Sequence, residues 1–138
     1  MEYKRFYAEF GKLLYAVANV DGKITKKERT ELLDLVKMEL VPLEKHTDEY
    51  GTDAAYYVEI EFDFLDEQIV DADAAFNSFI NYVENHKTAI DKRLITATRT
   101  ISLKLAEASN ETNKKEIKLL KRLNQSLDSI FLNKIILL

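Results

Sequence analysis

A chain of 138 residues that is 46% hydrophobic and 32% charged is long enough to bury a core of its own and too apolar to stay disordered. Having no cysteine, it excludes disulfides, thiolate metal sites and cysteine nucleophiles, and its 3 glycines and 1 proline supply too few turns for a sheet protein. The net charge of −4 is unevenly spread, +1 over residues 1–45, −11 over 46–91 and +6 over 92–138; the chain either pairs its own halves or offers partners an acidic and a basic face.

In chain order, Tyr3, Phe6, Tyr7, Phe10, Leu13, Leu14 and Val17 recur at three- and four-residue spacings and predict a helix over 3–18 with one broad apolar face. After Asp21 and Gly22, Leu32, Leu33, Leu35, Val36 and Leu40 repeat the pattern near 25–40 until Pro42 stops it. The polar stretch 42–53 reads as a connection, with Asp53 placed to cap the next element. Residues 54–69 carry two signals. Val58, Ile60, Phe62 and Phe64 alternate with Glu59, Glu61 and Asp63 as in a half-buried strand, while Val58, Phe62, Leu65 and Ile69 form a helical stripe. A lone strand would leave its backbone groups unpaired, and no partner strand is evident, so a helix is expected.

Asp71 or Asp73 then caps a helix through Ala74, Phe76, Phe79, Ile80 and Val83 that ends near Asn85 and His86. A long helix follows from about Thr88, with Ile90, Leu94, Ala97, Ile101, Leu105 and Ala108 inward. The last helix starts at Asn113 and buries Ile117, Leu120, Leu123, Leu127 and Ile130; the apolar tail FLNKIILL can dock on the core or serve an interface. The expectation is all-α, a single compact bundle of about six or seven helices over residues 1–138.

A shift of 88 residues superposes Leu13 on Ile101, Val17 on Leu105, Ala18 on Ala106, Glu28 on Glu116, Leu32 on Leu120 and Leu35 on Leu123. The two ends therefore read as related helix-turn-helix units, the second with Ser109 and Asn110 where the first has Asp21 and Gly22.

The stretch NVDGKITKKE invites comparison with a calcium loop, which needs oxygen ligands at positions 1, 3, 5, 7, 9 and 12 and glycine at 6. With Gly22 at position 6, Asn19, Asp21, Thr25 and Glu28 fall on ligand positions, but Val17 stands at position 1 and offers no side-chain oxygen. A standard EF-hand is thus not expected. Thr25 and Glu28 also make the S/T-x-x-E capping box, which Asn113 and Glu116 mimic, and Gly22 suits the end of the preceding helix. Capping does not require Asp21, which leaves a weak divalent-cation site open beside the structural reading.

An apolar helix ending in Ala18, then Asp21, Gly22, Ile24 and Glu28 followed by ERTELLDLV, resembles the TerB-like domain linked to tellurite resistance. That family is all-helical and commonly carries a second D-G-x-x-x-x-x-E unit near its C-terminus, where this chain has the degenerate ASNETNKKE at 108–116. The resemblance implies a non-catalytic module of bacterial stress-response assemblies, some of them membrane-associated, that binds a divalent cation through acidic side chains. By position, Asp21 and Glu28 are the implied ligands, with Glu116 the surviving acid of the second unit and Asn19 and Thr25 as further oxygen donors; calcium or magnesium is the implied class. Ser109 and Asn110 depart from the pattern and remove a carboxylate.

Other constellations read more plainly. Asp63, Asp66, Glu67, Asp71 and Asp73 form an acidic run that suits either a solvated face or a second cation patch, and the segment 61–73 is the place for a metal-dependent enzyme if there is one. Lys114, Lys118, Lys121 and Arg122 line the last helix without interleaved aromatics, so no nucleic acid is expected. His46 and His86 read as surface residues, and no phosphate loop, nucleophile elbow or H-E-x-x-H helix is present. The N-terminal MEYKRFYAEF lacks the core of a secretory signal, and no apolar run spans a bilayer, so a cytoplasmic protein with protein partners and no enzymatic activity is expected; a purely structural scaffold is the remaining alternative.

Overall fold

The computed structural model describes residues 3–20, 24–40, 54–108 and 114–136, and side chains within 4–20, 24–39, 56–108 and 114–131. Six α-helices are formed among them: α1 (Tyr3–Asn19), α2 (Lys26–Leu35), α3 (Ala54–Gln68), α4 (Ala72–Asn85), α5 (Lys92–Glu107) and α6 (Lys114–Ile136). A π-helical turn, Val36–Leu40, continues α2, and no strand occurs among the described residues. The all-α bundle expected from composition and periodicity is what the chain forms.

The axis of the bundle is α1, which packs against α3, α4, α5 and α6. Phe6, Phe10, Leu13, Leu14 and Val17 are buried, as expected, but so are Glu9, Tyr15, Ala16 and Ala18. One broad apolar face was too little: with neighbours on several sides, the helix is buried almost all round. Phe79 of α4 meets Phe6 and Phe10 with ring centroids 6.2 Å apart in both cases, tying the second contact helix to the first. Against α3, Gly11 is the point of closest approach. A Cβ there would lie 2.7 Å from the Val58 carbonyl oxygen and 3.0 Å from Glu61 Cβ, so only a hydrogen in that place lets the two backbones touch.

The ambiguous segment is helical. α3 turns Val58, Phe62 and Leu65 inward and leaves Ile60 and Phe64 about half exposed, so the strand-like alternation is a helix with one buried and one bare apolar stripe. Ile69 departs from the expected stripe: it lies beyond the last turn, 84% exposed, at φ 54°. The Val70 N–H donates to the Leu65 carbonyl and the Ile69 N–H to the Asp66 carbonyl, each at 3.2 Å, which is the Schellman closure with isoleucine where glycine is usual.

Of the two candidate caps for α4, Asp71 is the one used, its Oδ2 accepting the Ala74 N–H at 3.1 Å; Asp73 lies inside the first turn. α5 begins at Lys92 rather than near Thr88, because His86–Ala89 close a turn (Ala89 N–H to the His86 carbonyl, 2.9 Å) and Asp91 then caps the Leu94 N–H at 3.0 Å. In α6 the expected Ile117 is exposed and Leu119 takes its place in the core with Leu123, Leu127 and Ile130. Ile117 points about 120° away from that stripe at 100° per residue. Leu120 is half-buried against the core.

Candidate functional site

The stretch at the start of α2 is a complete capping box. Thr25, extended at φ −86° and ψ 159°, accepts the Glu28 N–H on Oγ1 at 3.1 Å, and Glu28 Oε1 accepts both the Thr25 N–H and the Thr25 hydroxyl at 3.0 Å. The carboxylate therefore stands at a helix N-terminus, where the backbone dipole favours negative charge. Glu28 is 2% exposed, unusually buried for an acid in a first turn, and Glu116, third residue of α6 and its counterpart in the second unit, is 1% exposed. Burial follows the echo read from the sequence at Leu13 and Ile101, Val17 and Leu105, Ala18 and Ala106, and Leu35 and Leu123, all buried as well, but not at Leu32 and Leu120, the first buried and the second half-buried.

The remaining expected ligands fare differently. Asp21 and Gly22, like Ser109 and Asn110, lie outside the described residues, as do His46, Asp53 and Asn113. Asn19 closes α1 and points its amide at another task, Nδ2 donating to the Tyr15 hydroxyl at 2.9 Å. The donors at hand are oxygens, the right kind for a calcium-class ion, but the Thr25 hydroxyl and Glu28 Oε1 are committed to each other, and among the described residues no group of three or more acidic or histidine side chains could hold a metal ion. The described part of the donor set does not by itself make a cation site.

The acidic run is dispersed. Arg29 of α2 pairs with Asp63 (3.0 Å) and with Asp66, Asp71 caps α4, and Asp73 pairs with Arg122 of α6 at 2.9 Å. Arg122 also lies 4.4 Å from the centre of the Phe76 ring and donates to Asn77 Oδ1 at 2.7 Å, so one member of the expected basic stripe is a bridge between α6 and α4, while Lys114, Lys118 and Lys121 stay exposed. His86 is half-buried rather than on the surface, stacked on Tyr82 at 4.1 Å with Nδ1 2.8 Å from the Tyr82 carbonyl oxygen. Between α2 and α3 a cleft of about 200 Å³, bordered by Arg29, Leu33, Glu59 and Phe62, is smaller than the usual small-molecule pocket.

Two polar networks escaped the sequence reading. Glu9, 2% exposed on α1, is held by Lys12 Nζ at 3.0 Å and accepts the Ser78 hydroxyl of α4 at 2.9 Å. The one available signal was an acid lying within the apolar run of α1. Tyr15, 1% exposed, donates its hydroxyl to the Val70 carbonyl at 2.6 Å and so pins the turn after α3 to α1. Burial, and secondarily the Asp71 carboxylate, push the Tyr15 phenol above its ordinary value of 10.0. No helix among the described residues is long and apolar enough to cross a membrane.

Comparison with known proteins returns no matching family model, no matching curated protein and no matching solved structure.

Proposed function

We propose that the chain is a non-enzymatic, TerB-like accessory module of the bacterial stress-response type, working by binding other proteins. The observation that carries this reading is the contrast on α3 and its flanks. The acidic side chains that an enzyme would need to converge are spread over separate partners, Arg29 and Arg122, and over the α4 cap, whereas Tyr56, Ile60 and Phe64 stand 54%, 48% and 55% exposed in one stripe. Large apolar side chains grouped in solvent are a feature of interaction surfaces. The reading is tested by capture with the full chain from a tellurite-stressed bacterial lysate, using Ile60→Ser and Phe64→Ser as controls. A partner retained by the unaltered chain and lost by both variants supports it; identical capture by all three proteins counts against it.

A second reading, weak binding of a calcium-class cation at Asp21 and Glu28 with Glu116 in the second unit, is favoured by the burial of both glutamates at helix N-termini. Calorimetric titration of chelator-stripped protein with calcium, magnesium, manganese and zinc decides it. Glu28→Gln keeps an acceptor for the cap and removes the charge, so saturable binding abolished by Glu28→Gln and by Asp21→Asn, at unchanged helix content, is the expected result. No saturable heat from the unaltered protein would leave NVDGKITKKE a capped interhelical turn.

A further inference from the structure

The outer face of α3 has a charge as well as a shape. At 100° per residue, Tyr56, Ile60 and Phe64 fall within about 80° of one another and extend about 12 Å along the axis, two turns of helix. On this outer side Glu67 projects among them, and Asp63 and Glu59 run along one edge. The whole of α3 contains five acidic residues and no lysine or arginine. Arg29, beside this edge, is engaged by Asp63 and Asp66; on the opposite edge Lys4 lies over the Tyr57 ring at 5.5 Å. Glu59 and Glu67 form no ion pair among the described residues, and both belong to the segment 46–91, which has a net charge of −11.

Building on the binding-module reading, we infer that this face docks a cationic amphipathic helix from a partner protein, its apolar stripe seated on Tyr56, Ile60 and Phe64 and its lysines or arginines set against Glu59 and Glu67. The chemistry favours this occupant over the others. An anionic membrane would be repelled by the same carboxylates that flank the stripe. A second copy of the chain offers a basic face on α6, but among the described side chains Lys114, Lys118 and Lys121 accompany a single exposed large apolar one there, Ile117 at 42%, too little to match three. Two turns of apolar stripe fit one helix of a partner better than the roughly 800 Å² per side of a stable dimer.

The test uses the full chain, isotopically labelled for NMR, and two synthetic 18-residue helices that share one leucine stripe and differ only in carrying lysines or glutamates along its edges. The lysine peptide should move the Ile60 methyl and the Tyr56 and Phe64 ring signals and should bind about tenfold more tightly than its glutamate twin, as two exposed ion pairs would give. The difference should shrink at 1 M salt, where screening is nearly complete. Phe64→Ser should weaken the lysine peptide at least tenfold at unchanged thermal midpoint, because the ring it removes is half in water. If both peptides bind the stripe equally, or if the chain self-associates in sedimentation and Phe64→Ser makes it monomeric, the cationic-helix assignment is overturned while the binding-module reading stands. Shifts that appear only away from α3, or binding of the stripe to anionic vesicles, overturn it too; a stripe that neither peptide perturbs and that captures no protein from lysate removes both.

Discussion

Ile69 occupies the backbone region that a β-branched side chain tolerates least, with φ 54° and 84% of its surface in water, so its side chain returns almost no burial energy for the strain. Glycine removes a left-handed penalty of about 1–2 kcal/mol and loses part of that gain to the greater freedom of the unfolded chain. Ile69→Gly is therefore expected to stabilise the fold by about 0.5–1 kcal/mol, read as a higher urea midpoint at unchanged slope; a lower midpoint would mean the isoleucine makes contacts that its exposure conceals. Tyr15 is the opposite case, a buried polar atom with every bond made. Replacing it with phenylalanine leaves the Val70 carbonyl without its 2.6 Å donor, and a loss of about 1–2 kcal/mol is expected. Its raised phenol also sets a pH dependence. The fold favours the protonated form, so this stabilisation is complete below pH 10.0, the ordinary value, and is lost as pH climbs through the higher folded value. The unfolding midpoint should fall with pH above 10.0 in the unaltered chain, less so in Asp71→Asn, which retains an acceptor for the α4 cap while removing the secondary cause of the shift.

At the level of elements, the crossing of α1 and α3 depends on Gly11. Alanine is the better helix former by about 1 kcal/mol, but a methyl group 2.7 Å from a backbone carbonyl must push the helices apart at a cost of up to about 3 kcal/mol. Gly11→Ala should thus lower stability by about 2 kcal/mol in chemical denaturation, and a stabilised variant would show that the crossing is looser than drawn. Why this escaped the sequence reading is physical: a glycine in an apolar helix looks the same whether it faces water or another backbone. The capping box was legible because its logic is local, Thr25 and Glu28 being three residues apart and each bonding the other's backbone N–H. α3 was half legible. Its period could be argued from the absence of a partner strand, yet which apolar stripe went inward depended on where α1 lay, and Ile69 was placed on the wrong side of the helix end for the same reason. In α6 the choice of Ile117 over Leu119 failed similarly, since two leucine-rich registers differ only in what they pack against.

For the whole molecule, the uneven charge resolves in part within the chain: Arg29 answers the end of α3 and Arg122 the start of α4, while Glu59 and Glu67 remain on one outer face and Lys114, Lys118 and Lys121 on another. Pairs exposed to this degree add little to stability, so cohesion must come from the core, and the core is organised by a single helix. Because α1 packs against α3, α4, α5 and α6 and its buried side chains belong to one core with theirs, neither the middle helices nor the C-terminal pair has a complete apolar interior without it. The two helix-turn-helix units, however alike in sequence, should therefore not fold as separate domains. Phe10, fully buried where α1 meets α4, is the place to test this. Phe10→Ala is expected to cost about 3–5 kcal/mol, a large share of a typical total of about 5–15 kcal/mol, and to shift one transition rather than split it. Far-ultraviolet circular dichroism and the fluorescence of the 7 tyrosines, the chain having no tryptophan, should trace superimposable curves for both proteins. A variant in which helicity persists after the tyrosine signal is lost would show that α5 and α6 hold together on their own, and the second unit would then be a folding unit in its own right.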